Sequence, residues 1–197
     1  MKEFILATGN KDKIKEIKSA LKDLNIKIIP LSDFKNFPKT IEDGLTLEYN
    51  AVKKAKEAAI FFNKWAIADD TGLEVDHLNG APGVYSARYA GKNCSYDDNN
   101  NKLLKELESV KKDERKAKFR CVIAIANPAG DIKIAQGEIE GFIAAQKSGN
   151  GGFGYDPIFF IPQYNKTFAE LSCEEKNKIS HRGKALNEAK KILKEIE

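Results

Sequence analysis

Between Glu3 and Ile29 the spacing of apolar residues changes twice, and this restricts the fold more than any other feature of the chain. Glu3 to Thr8 is a short apolar run closed by Gly9-Asn10, the pattern of a buried strand. From Asp12 onward Ile14, Ile17, Leu21 and Leu24 recur at three- and four-residue intervals, which makes an amphipathic helix. Ile26 to Ile29 is a second apolar run, ended by Pro30. Strand, tight turn, helix and strand in that order open an α/β fold.

The rest of the chain continues in the same style. After a loop from Leu31 to Gly44, the residues Leu47, Ala51, Ala55, Ala58, Ala59 and Phe62 mark a second helix. Trp65 to Ala68 reads as a short strand running into Asp69-Asp70-Thr71-Gly72, and Gly80-Ala81-Pro82-Gly83 as a turn. Tyr96 to Val110 reads as a helix with Leu103, Leu104 and Leu107 inward. Phe119–Ala126 and Ile132–Ala144 flank Pro128-Ala129-Gly130-Asp131, a hairpin of two long strands. Ser172 with Glu175 forms a capping box, and Ala185, Leu186, Ala189, Ile192, Leu193 and Ile196 form the last apolar stripe. At 197 residues a single domain covering 1–197, with two lobes, is the expected organisation.

Composition removes several classes. No apolar run approaches the roughly 20 residues needed to span a bilayer, and Met1 to Leu6 lacks the long apolar core of a signal peptide. Cys94, Cys121 and Cys173 lie far apart with no CxxC spacing, against a disulfide scaffold or a zinc site. A reducing cytoplasm fits these cysteines. A net charge of +4 does not by itself imply nucleic acid and is compatible with a small anionic ligand.

Four stretches carry candidate chemistry. In Ser148-Gly149-Asn150-Gly151-Gly152-Phe153-Gly154-Tyr155-Asp156-Pro157, three glycines satisfy G-x-G-x-x-G. A dinucleotide fingerprint needs a helix next. Here Pro157 disfavours helical geometry at Asp156 and an apolar strand-like run follows, so the stretch is a glycine loop feeding a strand. Its glycines suit close approach of backbone to a ligand. Ala7-Thr8-Gly9-Asn10-Lys11-Asp12-Lys13 is a strand end, a turn and a helix start, where free N–H groups attract phosphate. Either Asn10 or Asp12 would serve as a simple cap. Lys13 in the first turn is unfavourable for the helix alone, and a bound anion would remove the conflict. Asp69-Asp70-Thr71-Gly72 places two acids on opposite faces of a strand, one of them suited to Mg²⁺, which takes one or two carboxylates. Lys176 with His181 and Arg182 gathers three donors near the start of the last helix. His77 has no such company and reads as structural. Together these features describe a Mg²⁺-dependent enzyme acting on a phosphate ester or anhydride.

Five motifs in order then give a resemblance: Thr8-Gly9-Asn10-x-x-Lys13-x-x-Glu16, Ala68 to Leu73, Gly80 to Arg88, Gly151 to Pro157, and Ser180-His181-Arg182-Gly183. The chain resembles the inosine/xanthosine triphosphate pyrophosphatases, from Phe4 to the last helix. The resemblance implies an α/β fold with a long, mixed, twisted β-sheet, flanking helices and two lobes around a central cleft, usually as a homodimer. It implies Mg²⁺-dependent hydrolysis of ITP, dITP and XTP to the monophosphate and pyrophosphate, with no nucleic acid or membrane partner. Carried over by position, Thr8, Gly9, Asn10, Lys11, Asp12 and Lys13 bind the triphosphate. Asp70 binds metal or acts as general base, and Thr71 touches substrate. Phe153, Gly154, Tyr155, Asp156, Lys176, His181 and Arg182 hold the nucleotide, with Phe153 or Tyr155 stacked on the base. The chain departs from the family at Ile41, where a metal-binding Glu is usual, with Glu42 rather than Asp43 as the stand-in, and at Tyr49, where a second Glu is usual and Glu48 lies one residue earlier. A nucleotide- or RNA-binding module without turnover is the competing class, but the sequence shows no aromatics set within a basic surface.

Overall fold

The structure is a computed structural model that describes residues 1–38 and 40–196. The chain divides into two compact units, one formed by Met1–Asp70, Cys121–Gly137 and Arg182–Glu197, the other by Thr71–Arg120 and Glu138–His181. The chain order is β1 (Lys2–Leu6), α1 (Lys11–Ala20), β2 (Ile26–Pro30), α2 (Leu47–Phe62), β3 (Trp65–Val75), β4 (Pro82–Gly83), α3 (Tyr96–Glu106), β5 (Lys116–Ala126), β6 (Ile132–Ile143), β7 (Phe159–Ile161), β8 (Lys166–Thr167), α4 (Cys173–Ile179) and α5 (His181–Ile196). Among the described residues the strands form one sheet ordered β2-β1-β3-β5-β6-β7-β8, with β4 beside β3. β1 pairs in parallel with β2 and β3, while β3–β4, β6–β7 and β7–β8 are antiparallel. The sheet is therefore mixed, and helices join its parallel strands, as the opening pattern of the sequence requires.

In the first unit Phe4, Ile5 and Leu6 are wholly buried, as expected of a parallel strand covered on both faces. α1 lays Ile17 on this strand layer and α5 adds Ala185, Leu186, Ala189 and Leu193 to the same core, which also holds Ile67, Ile123 and Ile125. α2 buries Ala51, Ala55, Ala58 and Ala59 completely. It starts at a Thr46 cap and stops at Asn63 in the left-handed conformation. In the second unit Leu103 of α3 and Leu107, its C-terminal cap, join a core with Leu73, Phe119, Ile143, Phe159 and Phe168.

Most of the expected elements are present, with two departures. The expected four-residue strand at Trp65 continues through Asp69-Asp70-Thr71-Gly72 to Val75. Leu73 and Val75 are fully buried and β4 pairs with this second half at Leu73↔Gly83 and Glu74↔Pro82. The two aspartates therefore sit inside a strand rather than at its end. The helix expected to reach Val110 ends at Glu106. No helix among the described residues is long and apolar enough to cross a membrane.

Candidate active site

The first unit carries a network of charges around β3. The turn after β1 is pinned where Ala7 N–H donates to Ile67 O at 2.7 Å. Thr8 Oγ1 accepts from Asn10 N–H at 3.3 Å. Asn10 is the helix cap, its Oδ1 accepting from Asp12 N–H at 2.9 Å and Lys13 N–H at 3.1 Å. Two of the N–H groups that an anion would otherwise use are thus engaged by Asn10. Lys11 and Asp12 lie exposed in the first turn, and Gly9 has open space where a Cβ would stand. The conflict expected for Lys13 is resolved within the protein, because its Nζ meets Asp69 Oδ2 at 2.8 Å.

Alternation along β3 sends the two acids to different partners. Asp69 has no exposed surface. Besides Lys13 it faces Arg182 Nε at 3.6 Å, and Arg182 Nη1 also meets Glu16 Oε2 at 2.5 Å. Burial disfavours the Asp69 carboxylate, but Lys13, Arg182 and Lys54 outweigh it and hold the carboxyl well below its usual range. Asp70 meets Lys54 Nζ at 2.8 Å, and that ammonium also meets Glu42 Oε1 at 2.9 Å. Burial lifts the Asp70 carboxyl above its ordinary value, with Lys54 and Lys13 offsetting only part of the effect. Thr71 follows, half-buried.

Sequence reasoning missed Lys54 and Asn50. Both stand on the buried face of α2, with Leu47, Ala51, Ala55 and Ala58. A lysine and an asparagine on an apolar stripe were the signal that could have found them, since such groups are buried only when paired. Asn50 Oδ1 accepts from Gly44 N–H at 2.9 Å, which fixes the turn behind Glu42.

The second unit holds the glycine loop. Asp156 Oδ2 accepts from Phe153 N–H at 2.8 Å and from Lys176 Nζ at 2.6 Å. Lys176, buried on α4, also lies 4.9 Å from the centre of the Phe153 ring, a cation–π distance. The two aromatics of the loop differ in burial. Tyr155 is buried, with its hydroxyl donating to Ser86 O at 2.9 Å, whereas Phe153 is half-buried, its ring 6.0 Å from that of Tyr96. Gly154 is half-buried in the left-handed region.

Each of the three donors expected near the start of the last helix has a partner within the protein. Lys176 pairs with Asp156. His181 is buried and stacks on Phe119, with ring centres 4.5 Å apart and 11° between planes. Arg182 turns to Asp69 and Glu16. For Lys176 and Arg182 the reason is electrostatic, since each is drawn to a buried carboxylate.

Paired buried carboxylates and lysines on a mixed α/β sheet, with a capped phosphate-type turn and an aromatic glycine loop, define a class of protein built to handle a charged small ligand. The chain belongs to the Ham1 family, whose sequence model matches residues 4–192. A dITP/XTP pyrophosphatase of Desulforamulus reducens is 53% identical over 194 residues, covering 98% of this chain and 96% of the relative. One of Clostridium perfringens is 52% identical over 202 residues, covering 100% of this chain and 99% of the relative. Among solved structures, a HAM1 protein from Coxiella burnetii superposes with a TM-score of 0.91 at 45% identity, covering 99% of this chain and 100% of that one. The resemblance read from the five motifs is borne out at the level of family, and the mixed α/β sheet at the level of fold.

Proposed function

We propose that this protein hydrolyses the deaminated purine triphosphates ITP, dITP and XTP to the monophosphate and pyrophosphate. The observation that carries the reading is Asp70, a buried carboxyl with a raised pKa, held by one lysine on a strand whose neighbouring acid is committed to other cations. Relatives with this chain's length and about half its residues in common are dITP/XTP pyrophosphatases. In this reading Asp70 takes the proton of the water that attacks the α-phosphorus, and pyrophosphate leaves. Lys13, Lys54 and Arg182 orient the triphosphate, and Phe153 stacks on the base. Thr8 and Gly9 approach the phosphates through the turn.

The charges nearby favour a divalent cation. Lys13, Lys54 and Arg182 supply three positive charges, and Asp69, Asp70, Glu42 and Glu16 four negative ones, leaving one net negative. Such a site does not attract a bare triphosphate. Asp70 and Glu42 converge on one ammonium, and two hard carboxylate oxygens near one another are the donor set that Mg²⁺ uses. These two residues would hold Mg²⁺, which when bound neutralises charge on the phosphates. The family resemblance adds a cytoplasmic homodimer as the working form.

Pyrophosphate release from ITP, XTP, ATP and GTP, with Mg²⁺ and with a chelator, tests the proposal. Release from ITP and XTP far faster than from ATP or GTP, and lost with the chelator, is expected. Tight binding of ITP without release would make the protein a nucleotide-binding module instead.

A further inference from the structure

Helix α3 places Asn100 against the glycine loop. The residue is 3% exposed and its Nδ2 donates to the carbonyl of Gly154 at 3.0 Å. Its Oδ1 is buried and has no hydrogen-bond partner among the described residues. An amide placed only for stability would engage both ends, since an unmet buried acceptor is unfavourable and an apolar side chain of similar size avoids it.

What the amide does achieve is to orient one peptide group. Gly154 has φ +66° and open space where a Cβ would stand, so local sterics do little to fix its carbonyl. The peptide linking Gly154 to Tyr155 is trans, and in a trans peptide the C=O and N–H point in opposite directions. Holding Gly154 O toward α3 therefore aims the Tyr155 N–H away from α3. Among the described residues no protein acceptor takes that N–H. Its surroundings are fixed as well, with the Tyr155 hydroxyl on Ser86 O and the Phe153 N–H on Asp156.

We propose that Asn100 is a positioning residue for base recognition. Through the Gly154 carbonyl it sets the Tyr155 N–H as donor to the keto oxygen at purine position 6. This rests on the deaminated-purine reading above. A 6-keto oxygen accepts from such a donor. The 6-amino group of adenine is itself a donor and leaves the N–H unmet after desolvation.

The test compares kcat/KM for ITP and ATP in the unaltered protein, Asn100→Leu and Asn100→Asp, with thermal midpoints measured alongside. Asn100→Asp keeps the shape but replaces the donor by an acceptor. Both variants should lower the ITP-to-ATP ratio by about tenfold, the scale of one hydrogen bond, while at least one keeps its thermal midpoint. An unchanged ratio in a folded variant overturns the assignment, and so does a ratio that falls only in step with the thermal midpoint. If the unaltered protein releases no pyrophosphate from ITP, the substrate reading itself has failed and this inference falls with it. Should neither variant fold, the Tyr155 amide of the unaltered protein decides. Its ¹⁵N–¹H resonance must shift with the product IMP and not with AMP, and an equal response to both overturns the proposal.

Discussion

Asp69 and Asp70 are adjacent on β3, yet the groups around them give their carboxyls opposite tendencies. Asp69 is held ionised between Lys13 and Arg182, and burial keeps a proton on Asp70 to higher pH than usual. The first therefore organises cations and the second is suited to exchange a proton. Asp70→Asn should lower kcat by roughly 10²–10⁴ and weaken nucleotide affinity much less, with turnover and calorimetric binding as the readouts. Near-full turnover would move the catalytic role to Asp69. Asp69→Asn should instead cost about 3–5 kcal/mol of stability, because Lys13 and Arg182 would lose their buried counter-charge. A denaturation curve matching that of the unaltered protein would show that Glu16 alone suffices for Arg182. The acids were legible in the sequence because two carboxylates after an apolar run are rare in a core. Their partners were not legible, since Lys54 and Arg182 arrive from separate helices and only the fold brings them to β3.

At the scale of elements, the start of the chain was readable because each change of period coincides with a change of structure, from β1 through α1 to β2. The second half of β3 was not, because Asp-Asp-Thr-Gly has the composition of a turn and its strand pairing depends on Pro82 and Gly83. The glycine loop offers a sharper test. Gly152 lies at φ +69°, and a Cβ there would stand 1.9 Å from Asp156 Oδ2. Gly152→Ala should therefore push Asp156 away from the Phe153 N–H and Lys176. The backbone strain costs on the order of 1–3 kcal/mol, and base selectivity should fall with it. An alanine variant with unaltered thermal midpoint and ITP preference would show that the loop is not held through Asp156. The β1–β2 edge of the sheet gives a pH dependence. Glu3 stands opposite Lys27 in register, bonded to Lys27 and Lys64, and these hydrogen bonds draw its pKa down from 4.5 to about 2. A folded value below the ordinary one gives stability that is present above about pH 4.5 and lost as pH falls through about 2. Glu3→Gln should melt below the unaltered protein at pH 7, with the gap closing toward pH 2 and in about 1 M salt. A gap independent of pH would assign the loss to packing.

For the whole molecule, the proposed function assigns recognition two tasks, one for the triphosphate with its cation at the charges around β3 and one for the base at Phe153 and the glycine loop. ITP and ATP share the triphosphate, so on the proposed function selection between them falls to the glycine loop and should survive changes that weaken phosphate contacts. Lys13→Ala should therefore reduce kcat/KM for ITP and ATP alike and leave their ratio near that of the unaltered protein. A selective loss for one nucleotide would contradict the division. The path of the chain has a consequence of its own. The first unit begins at Met1 but is completed only by Arg182–Glu197, after the chain has left for Thr71–Arg120 and Glu138–His181. On the ribosome Phe4 and Ile17 emerge early, whereas Ala185, Leu186, Ala189 and Leu193, which share their core, emerge last. At about 5–20 residues per second, those early apolar side chains wait on the order of 10–40 s for the helix that covers them. The residues of the second unit are all synthesised before that helix, so the nascent chain can close its later core first, and a chain stopped at His181 would leave the first permanently open.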